Sequence, residues 1–406
     1  MATSLLPTLL QQAVVHHRQG RLDHAEQTYR AALSLDPTCP PALNNLGILC
    51  RDRGEHDAAE VLFKMALEAD PGYAHAGNNL GISFEKQGRP AEAEAWYRRT
   101  LEIDPSHPNA RNNLGNLLGS RGDFAAAVRC YRMALEAAPQ SVAILANLGR
   151  CLLELGRLEE AERCFRGALD LDPDRSELHL GLGTVLQALD RFDAALGCYD
   201  RAGRLDPASP LPLNNRGVVL LELGALEPAL ESFALAIERD PDDVEARFNH
   251  ALGLPILYQS TEEVDACRQR FTEGLDQLDQ LVESRPDLHD RVLQTLARRS
   301  NFYLQYQGHD DLKPQRRYGS LLERVASSRL PPFTSQRPAR ARLRIGYISA
   351  FFRDHTVGKL TLGFLEQRDR RRFEVQSYYL GGAPQPLTAR FQAASDGFHP
   401  LSCHLR

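Results

Sequence analysis

The sequence of 406 residues lacks the features that mark several large classes of protein. No apolar run approaches the roughly 20 residues that a membrane-spanning helix needs, and Met1–Leu10 lacks the positively charged start of a secretory signal. The net charge is −5, so no basic field indicates a nucleic-acid partner. These absences predict a cytoplasmic protein that binds neither membranes nor nucleic acid.

Motifs for metals, disulfides and nucleotides are also lacking. The eight cysteines are scattered without a Cys-X-X-Cys pair, and Cys130, Cys164 and Cys198 recur at one constant interval. We interpret these three as small core residues rather than as metal ligands or disulfide partners. There is no glycine-rich phosphate loop, HExxH, GxSxG or acidic metal pair. The sequence therefore predicts no metal site and no tightly bound cofactor.

The same interval separates recurring residues of several other types along most of the chain. One copy of the repeated unit, Ala74–His107, reads as two short helices, of which the first ends at Gly88 and the second begins at Pro90. Four positions recur in register: a glycine in the first helix, an alanine and then an aromatic residue in the second, and a closing proline. The glycines are Gly47, Gly81, Gly115, Gly149, Gly183 and Gly217, and the aromatic residues are Tyr29, Phe63, Tyr97, Tyr131, Phe165, Tyr199 and Phe233.

This pattern is typical of the tetratricopeptide repeat, a helix-turn-helix unit of about 34 residues. We count seven full repeats over residues 6–243 and a degenerate eighth start at Val244–Leu254. Such units cannot bury their apolar stripes alone and stack into a right-handed superhelix, with the first helices lining a concave groove. We therefore predict a mostly α-helical protein whose residues 1–250 form a solenoid.

Asparagine occupies the sixth position of nearly every repeat, and only Gly181 interrupts the series. Side-chain amides in a groove could hydrogen-bond an extended peptide, since each amide offers donors and an acceptor. They could equally bond only the backbone of neighbouring repeats, because buried amides must find a partner. Both interpretations stay open, and the groove is predicted to bind proteins or peptides. The candidate groove residues are Asn45, Asn79, Asn113, Asn147, Asn215 and Asn249.

After the repeats, the pattern changes twice. Residues 251–329 read as a connector of three helices, and the proline-rich residues 330–341 read as a linker. Residues 342–406 then alternate strand and helix, which predicts a parallel α/β piece too small to cover both faces of its sheet. The predicted strands are Leu343–Ser349, Phe373–Leu380 and Gly397–Ser402, and the helices are Val357–Glu366 and Leu387–Ala394.

The stretch LRIGYISAFFRDHTVGKL at Leu343–Leu360 resembles the start of the catalytic region in the SPINDLY / O-linked N-acetylglucosamine transferase family. The resemblance extends to Arg372–Tyr378 (RFEVQSY) and, in the manner of cyanobacterial-type members, to Asn301–Gly308 (NFYLQYQG). Members join tetratricopeptide repeats to an inverting, Rossmann-like glycosyltransferase of two lobes. The resemblance implies that residues 342–406 are part of the N-terminal lobe.

In this family a sugar passes from a nucleotide-sugar, typically UDP-N-acetylglucosamine and in some relatives GDP-fucose, to a serine or threonine of a protein, without a metal. His355 matches the histidine of the active-site loop, near the acceptor hydroxyl or the donor. Asp354 could orient His355 or cap the following helix. Without the resemblance, His355 would be read as a surface residue. Thr356 and Lys359 depart from the residues that many members have there.

The family holds its nucleotide chiefly in a second lobe, for which we find no counterpart in the sequence. The resemblance therefore implies the front part of a protein O-glycosyltransferase, which binds acceptor proteins but turns over only if a second polypeptide supplies the missing lobe. The alternative is a non-catalytic scaffold of tetratricopeptide repeats that binds proteins.

Overall fold

The computed structural model describes residues 2–255, 257–296, 307–329, 342–349, 356–380 and 386–401. It divides the chain into two compact units, Met1–Asp190 and Arg191–Arg406, each of which is described by itself. The described residues are mostly helical, with one small sheet in the second unit. The right-handed superhelix stays a prediction.

The first unit is a succession of antiparallel helix pairs, in which each helix packs on the next one in sequence. The turn inside each pair contains a residue in the left-handed region, which is glycine in five cases, for example Gly88 with φ of 71°. The helices are α1 (Ala2–Arg18), α2 (Leu22–Leu35), α3 (Pro40–Asp52), α4 (His56–Ala69), α5 (Ala74–Lys86), α6 (Pro90–Ile103), α7 (Pro108–Ser120), α8 (Phe124–Ala137), α9 (Val142–Glu154), α10 (Leu158–Leu171) and α11 (Ser176–Ala188).

The glycine and the aromatic residue of a repeat lie against each other, as their spacing predicts. A Cβ added to Gly81 would stand 2.5 Å from Cε1 of Tyr97, and one added to Gly47 would stand 2.7 Å from Cε1 of Phe63. Both aromatic side chains are fully buried. The paired helices therefore approach so closely that one methyl group would not fit.

The second unit continues the helix pairs and then leaves the repeat register. Its helices are α12 (Phe192–Leu205), α13 (Leu211–Glu222), α14 (Leu226–Arg239), α15 (Val244–Leu252), α16 (Thr261–Ser284), α17 (His289–Leu296) and α18 (Leu312–Arg329). The predicted eighth start is α15, which ends at Leu252. The predicted second connector helix runs to Gln305, but residues 297–306 lie outside the described residues, as does the whole linker at 330–341.

Two residues of α16 contact the backbone of α15, where the repeat pattern ends. The guanidinium of Arg270 donates to the carbonyl of His250 over 2.9 Å and also to the carbonyl of Gly253, which satisfies the C-terminal end of α15. At Gly274 an added Cβ would stand 2.4 Å from the carbonyl oxygen of Ala251. Thus α16 packs directly on the backbone of α15, where a repeat would place its second helix.

The α/β piece has the predicted strand–helix–strand–helix–strand order. Its elements are β1 (Leu343–Ser349), α19 (Thr356–Gln367), β2 (Phe373–Tyr379), α20 (Pro386–Ala394) and β3 (Gly397–Pro400). The strands are parallel in the order β1-β2-β3, with Leu343 opposite Phe373 and Gln376 opposite Gly397. This confirms the predicted parallel sheet, and the observed elements end within about two residues of the predicted ends.

Candidate functional site: the asparagine ladder

The first helices of the repeats carry asparagine at two adjacent positions, the fifth and the sixth. The fifth-position residues Asn44, Asn78 and Asn214 are buried. The sixth-position residues are half-buried, except Asn249, which is buried. Adjacent residues of a helix point about 100° apart, so one amide faces the packed interior while the next reaches the surface of the same helix.

The sixth-position amide of one repeat donates to the fifth-position amide of the repeat before it. We call this series of side-chain bonds the asparagine ladder. Its N–O distances are 2.8 Å from Asn79 to Asn44, 3.0 Å from Asn113 to Asn78, 3.0 Å from Asn147 to Asn112 and 2.8 Å from Asn249 to Asn214. Of the two open interpretations, bonding to neighbouring repeats is therefore present, with side chains rather than backbone as partners.

The ladder has a branch in the fourth and fifth repeats that the sequence analysis did not identify. Asn116 Oδ1 accepts from Asn147 Nδ2 over 2.9 Å and from Tyr131 Oη over 2.8 Å. Burial raises the pKa of Tyr131, so its hydroxyl remains a donor. Arg150 donates to Asn147 Oδ1 over 2.5 Å and adds an exposed positive charge. In the sequence, this branch could have been inferred from the polar residues Asn116 and Arg150, which lie one helical turn after the ladder positions of α7 and α9.

Two sixth-position amides keep hydrogen-bonding capacity. Asn79 donates to Asn44, but its Oδ1 accepts from no residue among those described. Asn215 has no side-chain hydrogen bond within the described part of the second unit. A ladder bond from Asn215 would need an amide at the fifth position of the repeat before it, where the sequence has Leu180. Both half-buried side chains can therefore bind a further polar group.

A pair of histidines adjoins the ladder at the start of α5 and α7. His107 Nδ1 accepts from the backbone N–H of Ala110 over 3.2 Å and so caps α7. Its Nε2 lies 3.2 Å from Nδ1 of His75. Burial, followed by the nearby His75, lowers the pKa of His107. The capping bond needs an unprotonated Nδ1, so both effects favour the neutral ring.

The predicted catalytic pair is not part of this geometry. His355 and Asp354 fall between β1 and α19 and lie outside the described residues. Across the ranges that are described, no group of three or more histidine, cysteine, aspartate or glutamate residues is arranged to hold a metal. Within the same ranges, none of the helices is both long and apolar enough to cross a membrane.

Two protein families match the repeated part of the chain. Residues 4–72, 38–106 and 73–140 match one tetratricopeptide-repeat family, and residues 112–176 and 180–244 match another. The chain carries tetratricopeptide repeats. The predicted repeat type is thereby confirmed over nearly all of residues 4–244. No curated protein matches the sequence.

Solved structures similar to this chain include three proteins that each cover about half of it. YrrB, described as a TPR protein with an unusual peptide-binding site, is 25% identical and covers 45% of this chain and 95% of its own, with a TM-score of 0.41. The pilF protein of Pseudomonas aeruginosa is 22% identical, with coverages of 51% and 95% and a TM-score of 0.46. PilW, a type IV pilus biogenesis factor, is 24% identical, with coverages of 53% and 98% and a TM-score of 0.46.

Proposed function

We propose that the repeats are a scaffold that binds an extended segment of a partner protein, with the asparagine ladder contacting the peptide backbone. The observation that carries this proposal is the series of amide-to-amide bonds between successive first helices. These bonds fix the amides before a ligand arrives, so binding would not require ordering them. Repeat arrays present extended binding surfaces of this kind.

The ladder leaves room for such a ligand. A primary amide has two N–H donors and an oxygen that can accept twice, and one ladder bond uses a single donor or acceptor site. The free Oδ1 of Asn79 would accept from a peptide N–H, and the amide of Asn215 would both donate and accept. Because these contacts involve only backbone groups of the ligand, they would tolerate many peptide sequences.

The test selects peptides from a random phage-displayed library on the intact chain and measures their affinity by fluorescence anisotropy. Asn215→Ala removes an amide without breaking a described hydrogen bond, so the fold is expected to persist. Loss of one or two hydrogen bonds would weaken binding about tenfold. Gln27→Ala on α2, an exposed amide of a second helix, is the control and should bind normally. Equal affinity of the Asn215 variant and the control would contradict the proposal.

We propose as a second candidate that the chain is the front part of a protein O-glycosyltransferase, whose repeats bind the acceptor. The support is the sequence LRIGYISAFFRDHTVGKL combined with the parallel arrangement of β1, β2 and β3. In this proposal His355, oriented by Asp354, lies near the acceptor hydroxyl or the donor. The donor is UDP-N-acetylglucosamine or GDP-fucose.

Calorimetric titration with UDP, UDP-N-acetylglucosamine and GDP-fucose tests the second candidate. We expect saturable binding of one donor that His355→Ala weakens. Absence of binding by a chain whose repeats are folded would contradict the transferase proposal and leave the scaffold.

A further inference from the structure

A cavity of about 770 Å³ lies in the second unit, where α13, α15 and α17 come together. This volume falls within the range of roughly 300–1,000 Å³ that is usual for ligand pockets. The cavity is lined by the first helix of the seventh repeat, by the eighth start and its preceding turn, and by a connector helix. The asparagine ladder reaches it, because Asn249 lines the cavity and bonds Asn214.

One wall of the cavity is apolar and is formed by α13. Leu211 and Val218, which stand two helical turns apart, line this wall. Leu211 is 49% exposed. An apolar surface of this length suits the aliphatic stem of a long side chain.

The rim of the cavity is acidic. Asp240, Asp242, Asp243 and Glu245 line it from the turn before α15 and from its first residues, and Arg291 lines it from α17. Four carboxylates therefore stand against one guanidinium in the lining.

The carboxylates differ in how far they are already neutralised. Asp242 forms a bidentate ion pair with Arg285, at 2.6 and 2.9 Å, which holds the pKa of Asp242 below its usual range. Asp240 and Asp243 accept only backbone N–H groups, which leave their charge in place. Glu245 is exposed. Within the described residues, these last three form no ion pair.

The excess negative charge favours a cationic ligand, and the apolar wall favours an organic cation over a metal ion. In the described part of the chain, no three acidic or histidine side chains converge as metal ligands do. An organic cation with an apolar stem uses both the acidic rim and the apolar wall, whereas a metal ion would use only the rim. Lysine and arginine side chains have this shape, and their head groups form charge-assisted hydrogen bonds with carboxylates.

We propose that this cavity binds a basic side chain of an extended peptide, with the stem against Leu211 and Val218 and the head group among Asp240, Asp243 and Glu245. The proposal rests on the proposed function of the repeats as a peptide-binding scaffold and assigns a chemical class to its ligand. A partner segment would have a lysine or arginine at the position that meets α15, and an uncharged residue there would bind less well.

The probe is a fluorescein-labelled peptide of sequence GSRRSG, compared with GSQQSG by fluorescence anisotropy on the full chain. The variant combines Asp240→Asn, Asp243→Asn and Glu245→Gln. Asparagine can accept the same backbone bonds as aspartate at the turn and at the helix N-cap, so α15 is expected to remain folded. Helix content by circular dichroism checks this.

The control variant also removes three negative charges, which separates a local effect from the general attraction of a basic peptide to an acidic protein. It combines Glu68→Gln, Glu102→Gln and Glu136→Gln, which are exposed residues at equivalent positions of α4, α6 and α8. We expect the cavity variant to bind GSRRSG about tenfold more weakly and the control to bind within about twofold of the unchanged chain.

Equal loss in both variants, no loss in the cavity variant, or no binding of GSRRSG at about 1 mM would each overturn the proposal. Failure of the scaffold proposal is recognised separately. It would show as an unchanged affinity of selected peptides for the Asn215→Ala variant, while the charge dependence of GSRRSG binding would persist.

Discussion

Replacing Gly81 with alanine adds one methyl group between the two helices of a repeat. The new Cβ would stand 2.5 Å from Cε1 and 2.7 Å from Cδ1 of Tyr97, well inside van der Waals contact. The ring has little freedom to move away, because it is fully buried and its Oη donates to Glu85 Oε2 over 2.8 Å. The helices must therefore separate, or the hydrogen bond from Tyr97 to Glu85 must break.

Two opposed effects set the magnitude. Overpacking of a well-packed core costs about 1–3 kcal/mol. Alanine in place of glycine inside a helix contributes about 1 kcal/mol of stability. We therefore expect Gly81→Ala to lower the free energy of unfolding by between about 0 and 2 kcal/mol, because overpacking against Tyr97 offsets or exceeds the gain in helix propensity.

Gly167 on α10 offers the matched control, because a Cβ added there meets nothing within 4 Å. Gly167→Ala should raise stability by about 0.5–1 kcal/mol, since only the helix preference remains. Urea denaturation followed by circular dichroism compares both variants through the direction of the shift in midpoint, which does not require two-state unfolding of a repeat array. If Gly81→Ala proves as stabilising as Gly167→Ala, the close helix approach is refuted.

Three further predictions follow from single contacts. Burial lowers the pKa of His107 from its usual 6.5, so the folded chain keeps its full stability above pH 6.5 and loses stability as the pH falls below that value. His107→Asn keeps the cap on Ala110 and should reduce this loss of stability, as measured by urea denaturation at a series of pH values. Asn79→Ala leaves the buried Oδ1 of Asn44 without its ladder donor and should cost about 1–3 kcal/mol in urea denaturation. Glu94→Gln should cost at most about 1 kcal/mol, and the difference should shrink at roughly 1 M salt, because its ion pairs lie near the surface.

The repeat architecture could be predicted from the sequence because it depends on short-range chemistry that recurs. The glycine and the aromatic residue that meet, such as Gly81 and Tyr97, belong to consecutive helices of one repeat and return in register in the next. The end of the array could be located as a break in this pattern, but the contacts found there could not be predicted. Arg270 and Gly274 of α16 contact the backbone of α15, and no repeated spacing in the sequence marks these contacts.

The candidate site shows the same division. The series of asparagines at the sixth position was visible in the sequence. Whether these side chains bond a peptide or a neighbouring repeat could not be read from it. The bond from Asn113 to Asn78 joins positions separated by one more than the repeat length, because stacking sets the sixth position of one helix beside the fifth of the helix before it. That offset is a property of packed repeats, which a single repeat does not contain.

The two faces of the small parallel sheet in the α/β piece differ in character. Parallel sheets are usually covered on both faces, yet the apolar side chains of this sheet form one core with α19 and α20, which includes Val375 and Tyr379. The residues that alternate with them form polar pairs, with Arg344 donating to Glu374 over 2.7 Å and Gln376 2.8 Å from the ring of His399.

Alternation explains how each described strand serves both faces of the sheet. Successive residues of a strand point to opposite faces, so the same strand supplies an apolar side to the helices and a polar side to the other face. The ring of Tyr378 stacks on His399 at 4.9 Å, which covers part of its apolar area. Ile348, 66% exposed, is the apolar exception on this face. On this face the polar side chains of the described strands therefore bond one another.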